Sequence, residues 1–213
     1  RQRSRRAAGG EAGVEALVRW EHPELGLLAP DRFVGVAEEM GIIGEIGEWV
    51  LAEACRQLAR WRQAGFAVPR MAVNLSMQQL ERDELVACVR GLLETWALTP
   101  DLLELEVTES MIMRQTGRVL PVLDGLRSLG VYLAVDDFGT GYSSLSRLRH
   151  LPVHRLKVDY SFVRDIGLNT TANALIQSLV SLGDAMNLSV IAEGIENEDQ
   201  LKLLRLVQCE YVQ

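Results

Sequence analysis

Charged and amide side chains fall at matching places in a series of short apolar runs. They are Glu15 and Arg19 in VEALVRW, Asn74 in MAVNLS, Glu104 and Glu106 in LLELEVTE, and Asp136 and Asp137 in VYLAVDD. Lys157 and Asp159 follow in HRLKVD, and Glu193 in LSVIAEG. Alternate residues of a strand face opposite ways. On that parity Leu103, Leu105 and Val107 oppose Glu104, Glu106 and Thr108. In the same way Val131, Leu133 and Val135 oppose Tyr132, Ala134 and Asp136, while Leu156 and Val158 oppose Arg155, Lys157 and Asp159. The apolar face suits helices packed outside a sheet, which turns the polar face toward a barrel interior. Unpaired charges there are expensive. One acid can be met by one base, but acids near the ends of several strands need more. Divalent cations neutralise clustered carboxylates and produce a hydrolytic site. The residues alone therefore predict an oxygen-ligand metal centre in a barrel mouth.

Other candidate chemistries are disfavoured by the same sequence. Of the histidines His22, His150 and His154, the last two are spaced H-x-x-x-H, but Pro152 between them interrupts the helix that such a zinc pair needs, which argues against a histidine-based zinc site. Cys55, Cys88 and Cys209 lack C-x-x-C spacing and read as reduced packing residues of a cytosolic protein. A metal held mainly by oxygens points to magnesium or manganese. Across 213 residues, 29 Asp and Glu against 22 Lys and Arg give a net charge of −7. Binding of a nucleic-acid polymer through bulk charge needs a basic excess instead. An apolar content of 48% with 24% charged residues is globular composition. No stretch approaches the roughly 20 apolar residues of a membrane span, and no apolar segment follows the first arginines as a secretory signal requires.

The elements that must hold these residues alternate. Residues 1–13 are basic and Gly-rich and read as a flexible lead-in, with the domain proper over 14–213. Ile43, Ile46, Val50, Ala54, Leu58 and Trp61 are spaced as one face of a long helix, with Gly65 as its stop. Leu175, Leu179, Leu182 and Met186 make the stripe of a later helix, and Gly130 ends another. Trp20, Met40 and Trp49 are assigned to packing. Repeated strand–helix units argue for a parallel sheet with crossover helices. Without a G-x-G-x-x-G after the first strand, the expected architecture is a (β/α) barrel, with its site at the C-terminal strand ends.

Taken in order, these segments resemble the EAL-domain family, which hydrolyses the bacterial second messenger cyclic di-GMP. The resemblance rests on Glu15-Ala16-Leu17 within EALVRW, NLS at Asn74 to Ser76, ELEVTES from Glu104, and DDFGTGYSSL from Asp136. LKVD from Leu156 and AEGIE from Ala192 complete it. It implies a TIM-like (β/α)8 barrel and a cyclic-guanylate phosphodiesterase that uses two ions, Mg²⁺ or Mn²⁺. By the resemblance, Glu15, Asn74, Glu106 and Asp136 hold one ion, and Asp136 bridges to a second held also by Asp137 and Glu193. Glu15, Lys157 and Glu193 carry catalysis: Lys157 stands near the attacking water, and Glu193 is either general base or mainly a ligand. Arg19, Leu17 and Gln213 contact the nucleotide, and Asp159 and Glu196 stand behind the ligands. Glu109 anchors the loop from Phe138 to Ser144 and couples it to homodimerisation. Glu104 is expected to face inward below the site and pair with a base such as Arg155.

The match weakens at both ends. Where the family has a further first strand, residues 1–10 show no strand character. The segment after Gln213 that closes the family's barrel has no counterpart either, so the barrel is expected to lack its first strand and its C-terminal end. The complete set of presumed catalytic residues favours an enzyme producing linear 5′-pGpG. A nucleotide receptor or protein-interaction module without turnover is the alternative. The expected setting is the cytoplasm, alone or within a larger membrane-tethered protein.

Overall fold

β-Branched runs too short to be helices and amphipathic stretches too long to be strands divide the chain. The computed structural model describes residues 6–7, 13–114, 116–141, 145–209 and 211–212. The strands are β1 (Arg6–Ala7), β2 (Val14–Ala16), β3 (Trp20–His22), β4 (Gly26–Leu28), β5 (Met71–Asn74) and β6 (Leu103–Thr108). They continue with β7 (Tyr132–Phe138), β8 (Arg155–Val158), β9 (Ser189–Ala192) and β10 (Tyr211–Val212). The helices are α1 (Val34–Glu39), α2 (Ile43–Gln63), α3 (Met77–Leu80), α4 (Leu85–Thr95) and α5 (Glu109–Arg114). After them come α6 (Thr116–Leu129), α7 (Leu145–Leu148), α8 (Tyr160–Arg164), α9 (Thr170–Ala185) and α10 (Glu198–Leu206).

Seven strands run parallel in the order β10-β9-β8-β7-β6-β5-β2, and β1 is added antiparallel to β10. This is the curled sheet of an incomplete TIM-like barrel. The lead-in differs from expectation, because Arg6 and Ala7 pair with Val212 and Tyr211. Two residues are too few to show a period of two, so nothing in the sequence marked this strand. The run VEALVRW also differs: its strand stops at Ala16, and Trp20 to His22 pairs instead with Gly26 to Leu28 in a separate ribbon. The turn between them ends at Gly26, whose φ of 71° favours glycine.

Parity holds across the central strands. Leu103, Leu105, Val107, Leu133, Val135 and Leu156 lie in the apolar core between sheet and helices. Glu104, Glu106, Arg155 and Lys157 are buried as well, on the other face. Gly65 and Gly130 end α2 and α6 with φ of 83° and 91°, as their positions suggested. On α9 Leu179, Leu182 and Met186 are half-buried and pack against the core as expected, whereas Leu175 is exposed, and the most deeply buried residues are Ala172, Ile176, Val180 and Gly183. Gly183 sits against Val190 and the Leu188 carbonyl, so a small residue rather than a leucine allows the helix to approach β9. Trp20, Met40 and Trp49 are exposed, contrary to their assignment to packing. Trp20 leans edge-on against His22 and Phe33 instead. Cys55 and Cys209 are buried, and burial pushes the Cys55 thiol up to about 11. No helix among the described residues is long and apolar enough to cross a membrane.

Below the strand ends a layer of paired charges fills the interior. Arg155 Nη1 donates to Glu104 Oε2 at 2.6 Å, and Arg70 Nη1 stands 3.6 Å from the same oxygen. The expected Glu104–Arg155 pair is therefore present, and each buried charge has its opposite. Arg70 also lies 3.4 Å over the Tyr132 ring, which stacks on His154 at 4.5 Å. The Leu133 N–H donates to His154 Nδ1 at 3.1 Å. Burial first, then Arg127 and Arg70, hold His154 below the ordinary 6.5.

Because the fold favours neutral His154, that stability is complete above the unfolded pKa and is lost as pH falls below about 6.5. We expect the urea midpoint to drop between pH 7 and pH 5. His154→Asn, which keeps an acceptor oxygen but cannot gain that proton, should show a smaller drop. An equal drop in both proteins would contradict the assignment.

Candidate functional site

The C-terminal ends of the strands carry the site, and strand register brings its parts level. Asn74 pairs with Glu106 across β5 and β6, and Thr108 with Asp136 across β6 and β7. Lys157 is one residue from the end of β8, and Glu193 follows the last residue of β9. Between β7 and β8 the register slips, Val135 opposing Leu156 but Phe138 opposing Val158. Such a bulge re-aims side chains next to active sites. It falls on the Asp136–Asp137 pair, with Asp137 at a φ of 53°, a left-handed conformation uncommon outside glycine. The Asp137 N–H donates to Asp136 Oδ1 at 3.0 Å, which pins the turn. Strict alternation had opposed the two aspartates. The bulge breaks that alternation where they stand.

Lys157 is the centre of the constellation. Its Nζ donates to Glu106 Oε2 at 3.0 Å and lies 2.9 Å from both Asp136 Oδ1 and Glu193 Oε1. The lysine side chain is 1% exposed and that of Glu106 0%. Glu193 Oε1 is buried and has this ionic contact without an aligned hydrogen-bond donor. Beside them Asn74 Nδ2 donates to Glu15 Oε1 at 3.0 Å, which orients both side chains. Field effects tie the two groups together. Burial pushes Asp136 up to about 7, against the pull of Lys157 and with the push of Glu106 and Glu193. Burial raises Glu193 too, with added repulsion from Glu106 and Glu15. Asp137 is raised by burial and then by Asp159.

The oxygen donors open to a cation are thus Glu15, Asn74, Glu106, Asp136, Asp137 and Glu193. Among the described residues no three acids already surround one point as a bound ion would hold them. An ammonium is at the middle of the group instead. The donor set still fits divalent cations, since five carboxylates against one ammonium leave four negative charges, which two such ions balance. Hard oxygen donors suit magnesium or manganese.

The remaining candidates divide. Leu17 lines a cavity of about 250 Å³ with Asn74, Ser76, Gln79 and Glu38. Arg19 is half-buried, and its Nη1 donates to the Val18 carbonyl at 2.7 Å rather than to an acid of the site. Asp159 caps α8 by accepting from the Ser161 N–H at 3.0 Å. Glu196 is exposed, and its main-chain N–H donates to Gln200 Oε1. Gln213 lies outside the described residues. Glu109 is 2% exposed and accepts from the Gly139 N–H at 2.8 Å, which joins the start of α5 to the loop after β7. Sequence reasoning overlooked Gln79. Its Oε1 accepts from the Ser76 N–H and hydroxyl, while its buried Nε2 has no partner among the described residues. The capping box Ser76-x-x-Gln79 is legible in the sequence. The cavity it borders is not.

A family model described as the EAL domain matches residues 4–213. The chain belongs to the EAL domain family. It is 45% identical over 205 residues, 96% of its length, to the bifunctional diguanylate cyclase/cyclic di-GMP phosphodiesterase MucR of Pseudomonas aeruginosa. It is 48% identical over 200 residues, 94% of its length, to the cyclic di-GMP phosphodiesterase NbdA of the same organism. It spans 30% and 26% of those two relatives. Among solved structures, the PaMucR phosphodiesterase in complex with c-di-GMP superposes with a TM-score of 0.93 at 43% identity, covering 100% of this chain and 87% of that one. The EAL enzyme Bd1971, bound to cAMP and cyclic di-GMP, gives 0.91 at 30% identity, covering 100% of this chain and 59% of that one. The EAL fold thus accounts for the order of strands around Lys157.

The loop of this EAL domain after Asp137 depends on glycine. Gly139 has a φ of 100°, and a Cβ there would stand 2.7 Å from the Phe162 ring. We expect Gly139→Ala to destabilise the domain by about 1–3 kcal/mol and to expose the residue-139 amide to hydrogen exchange. Unchanged protection at that amide would show that the contact with Glu109 survives without glycine.

Proposed function

We propose that this chain hydrolyses cyclic di-GMP to linear 5′-pGpG, with two divalent cations, Mg²⁺ or Mn²⁺, held by the carboxylates of the strand ends. The observation that carries the reading is the convergence on Lys157 of Glu106, Asp136 and Glu193, from β6, β7 and the end of β9. Membership of the EAL family and likeness to a c-di-GMP complex support the substrate.

Glu15, Asn74, Glu106 and Asp136 would hold one ion, and Asp136, Asp137 and Glu193 the other. Bound there, the pair would supply a nucleophile at neutral pH and charge stabilisation for an in-line displacement at phosphorus. The protein's own groups do the rest. Lys157 holds a nonbridging phosphate oxygen and orients the attacking water. Glu193, whose Oε1 lacks an aligned donor, accepts the proton of that water. The bond from phosphorus to the 3′ oxygen breaks, that oxygen is protonated, and the new phosphate stays on the 5′ side. Arg19 turns its fork of donors from the Val18 carbonyl to a ligand phosphate. The cavity beside Leu17 is large enough for a purine. Glu38, exposed at its edge, offers an acceptor for the N–H donors of a guanine edge. Asp159 supports the ligands from behind, and Glu109 holds the loop and links it to association of two copies.

The deciding experiment incubates purified protein with cyclic di-GMP and Mg²⁺ or Mn²⁺ and follows the linear product. Formation of pGpG is expected; saturable binding without product would make the chain a receptor. Glu15→Ala should lower turnover on the order of 100-fold or more through loss of a ligand, and near-wild-type rates at saturating metal would contradict that role. Asp137→Asn should move the metal concentration for half-maximal rate upward. An unchanged metal dependence would remove Asp137 from the ligand set.

A further inference from the structure

The ammonium at the middle of the acids has a consequence for cation binding that is separate from any part it takes in chemistry. Lys157 Nζ contacts one oxygen from each of three carboxylates, at 3.0, 2.9 and 2.9 Å. Those three oxygens belong to groups in the proposed ligand set, so lysine and cations draw on the same acids. The lysine is 1% exposed and stands on β8, between the strand that carries Asp136 and the strand that leads to Glu193. Water does not screen it at that depth, and charge interactions there are stronger than at the surface.

We propose that Lys157 sets the affinity of the site for divalent cations. It offsets one of the five negative charges, which loosens the hold on the ions, and it keeps the carboxylates from repelling one another when ions are scarce. This rests on the two-cation reading of the same site. A site with all five charges uncompensated would bind ions more tightly and release them more slowly. Its stability would also depend on them more, because removal of one partner from a buried ionic group leaves like charges facing each other.

The test measures Mn²⁺ binding by calorimetry on the full chain, in the wild type and in Lys157→Met. Thermal unfolding in chelator and in Mn²⁺ accompanies it. The methionine variant should bind Mn²⁺ on the order of tenfold more tightly. In chelator its midpoint should fall by about 10 °C, and added Mn²⁺ should raise it by more than it raises the wild type. Lys157→Gln keeps hydrogen-bond donors but drops the charge, and it should bind as tightly as the methionine variant; it carries the test where methionine prevents folding. Equal or weaker Mn²⁺ binding in the uncharged variants, beside intact binding by the wild type, would overturn the inference alone. Absence of saturable Mn²⁺ binding in the wild type would overturn the two-cation reading and this inference with it.

Discussion

Holding several carboxylates together away from water is the constraint around which this domain is arranged. Glu106, Asp136 and Glu193 would repel one another at the distances their strands impose, and burial removes the solvent that would screen them. One ammonium, from Lys157, answers all three within 3.0 Å. The site is then a buried network whose net charge is still negative, which is the electrostatic condition for taking up cations. Everything else places those groups: the parallel register sets their height, and the outer helices seal the apolar face behind them.

A second charged layer lies beneath the first and differs in kind. Glu104 has Arg155 and Arg70 beside it, and the Arg70–Tyr132–His154 stack closes that end of the interior. There bases outnumber the buried acid, so this layer has no deficit for a cation to fill. The same strands β6 and β8 thus carry a satisfied pair at one level, Glu104 with Arg155, and an acid-rich group two residues further on. That contrast separates a structural ion pair from a site, although both come from identical alternation along the chain.

Local backbone detail refines the site beyond the strands. The bulge in β7 and the left-handed Asp137 break the alternation where two adjacent aspartates stand. Gly139 accepts a φ of 100° and a close ring where a side chain would not fit, and its N–H reaches Glu109. Backbone strain of this kind is concentrated at functional positions, where surrounding contacts hold it. The loop, the bulge and the head of α5 therefore form one connected unit beside the carboxylates.

Much of this was legible without coordinates, because alternation and helical periodicity are local properties of the chain. The polar face of the central strands, the Glu104–Arg155 pair, the stops at Gly65 and Gly130 and the EAL series all follow from residue types and spacing. Other features depended on how distant segments meet. The deep burial of Gly183 on α9 arose from its close approach to Val190, and the exposure of Trp20 and Trp49 from which face of an element had a neighbour. The two-residue strand of Arg6 and Ala7 exists only through its partner, β10. Above all, the convergence of three acids on Lys157 is a property of curvature and register across strands. A one-dimensional pattern can say which way each side chain faces, but not how near its neighbours on other strands will come.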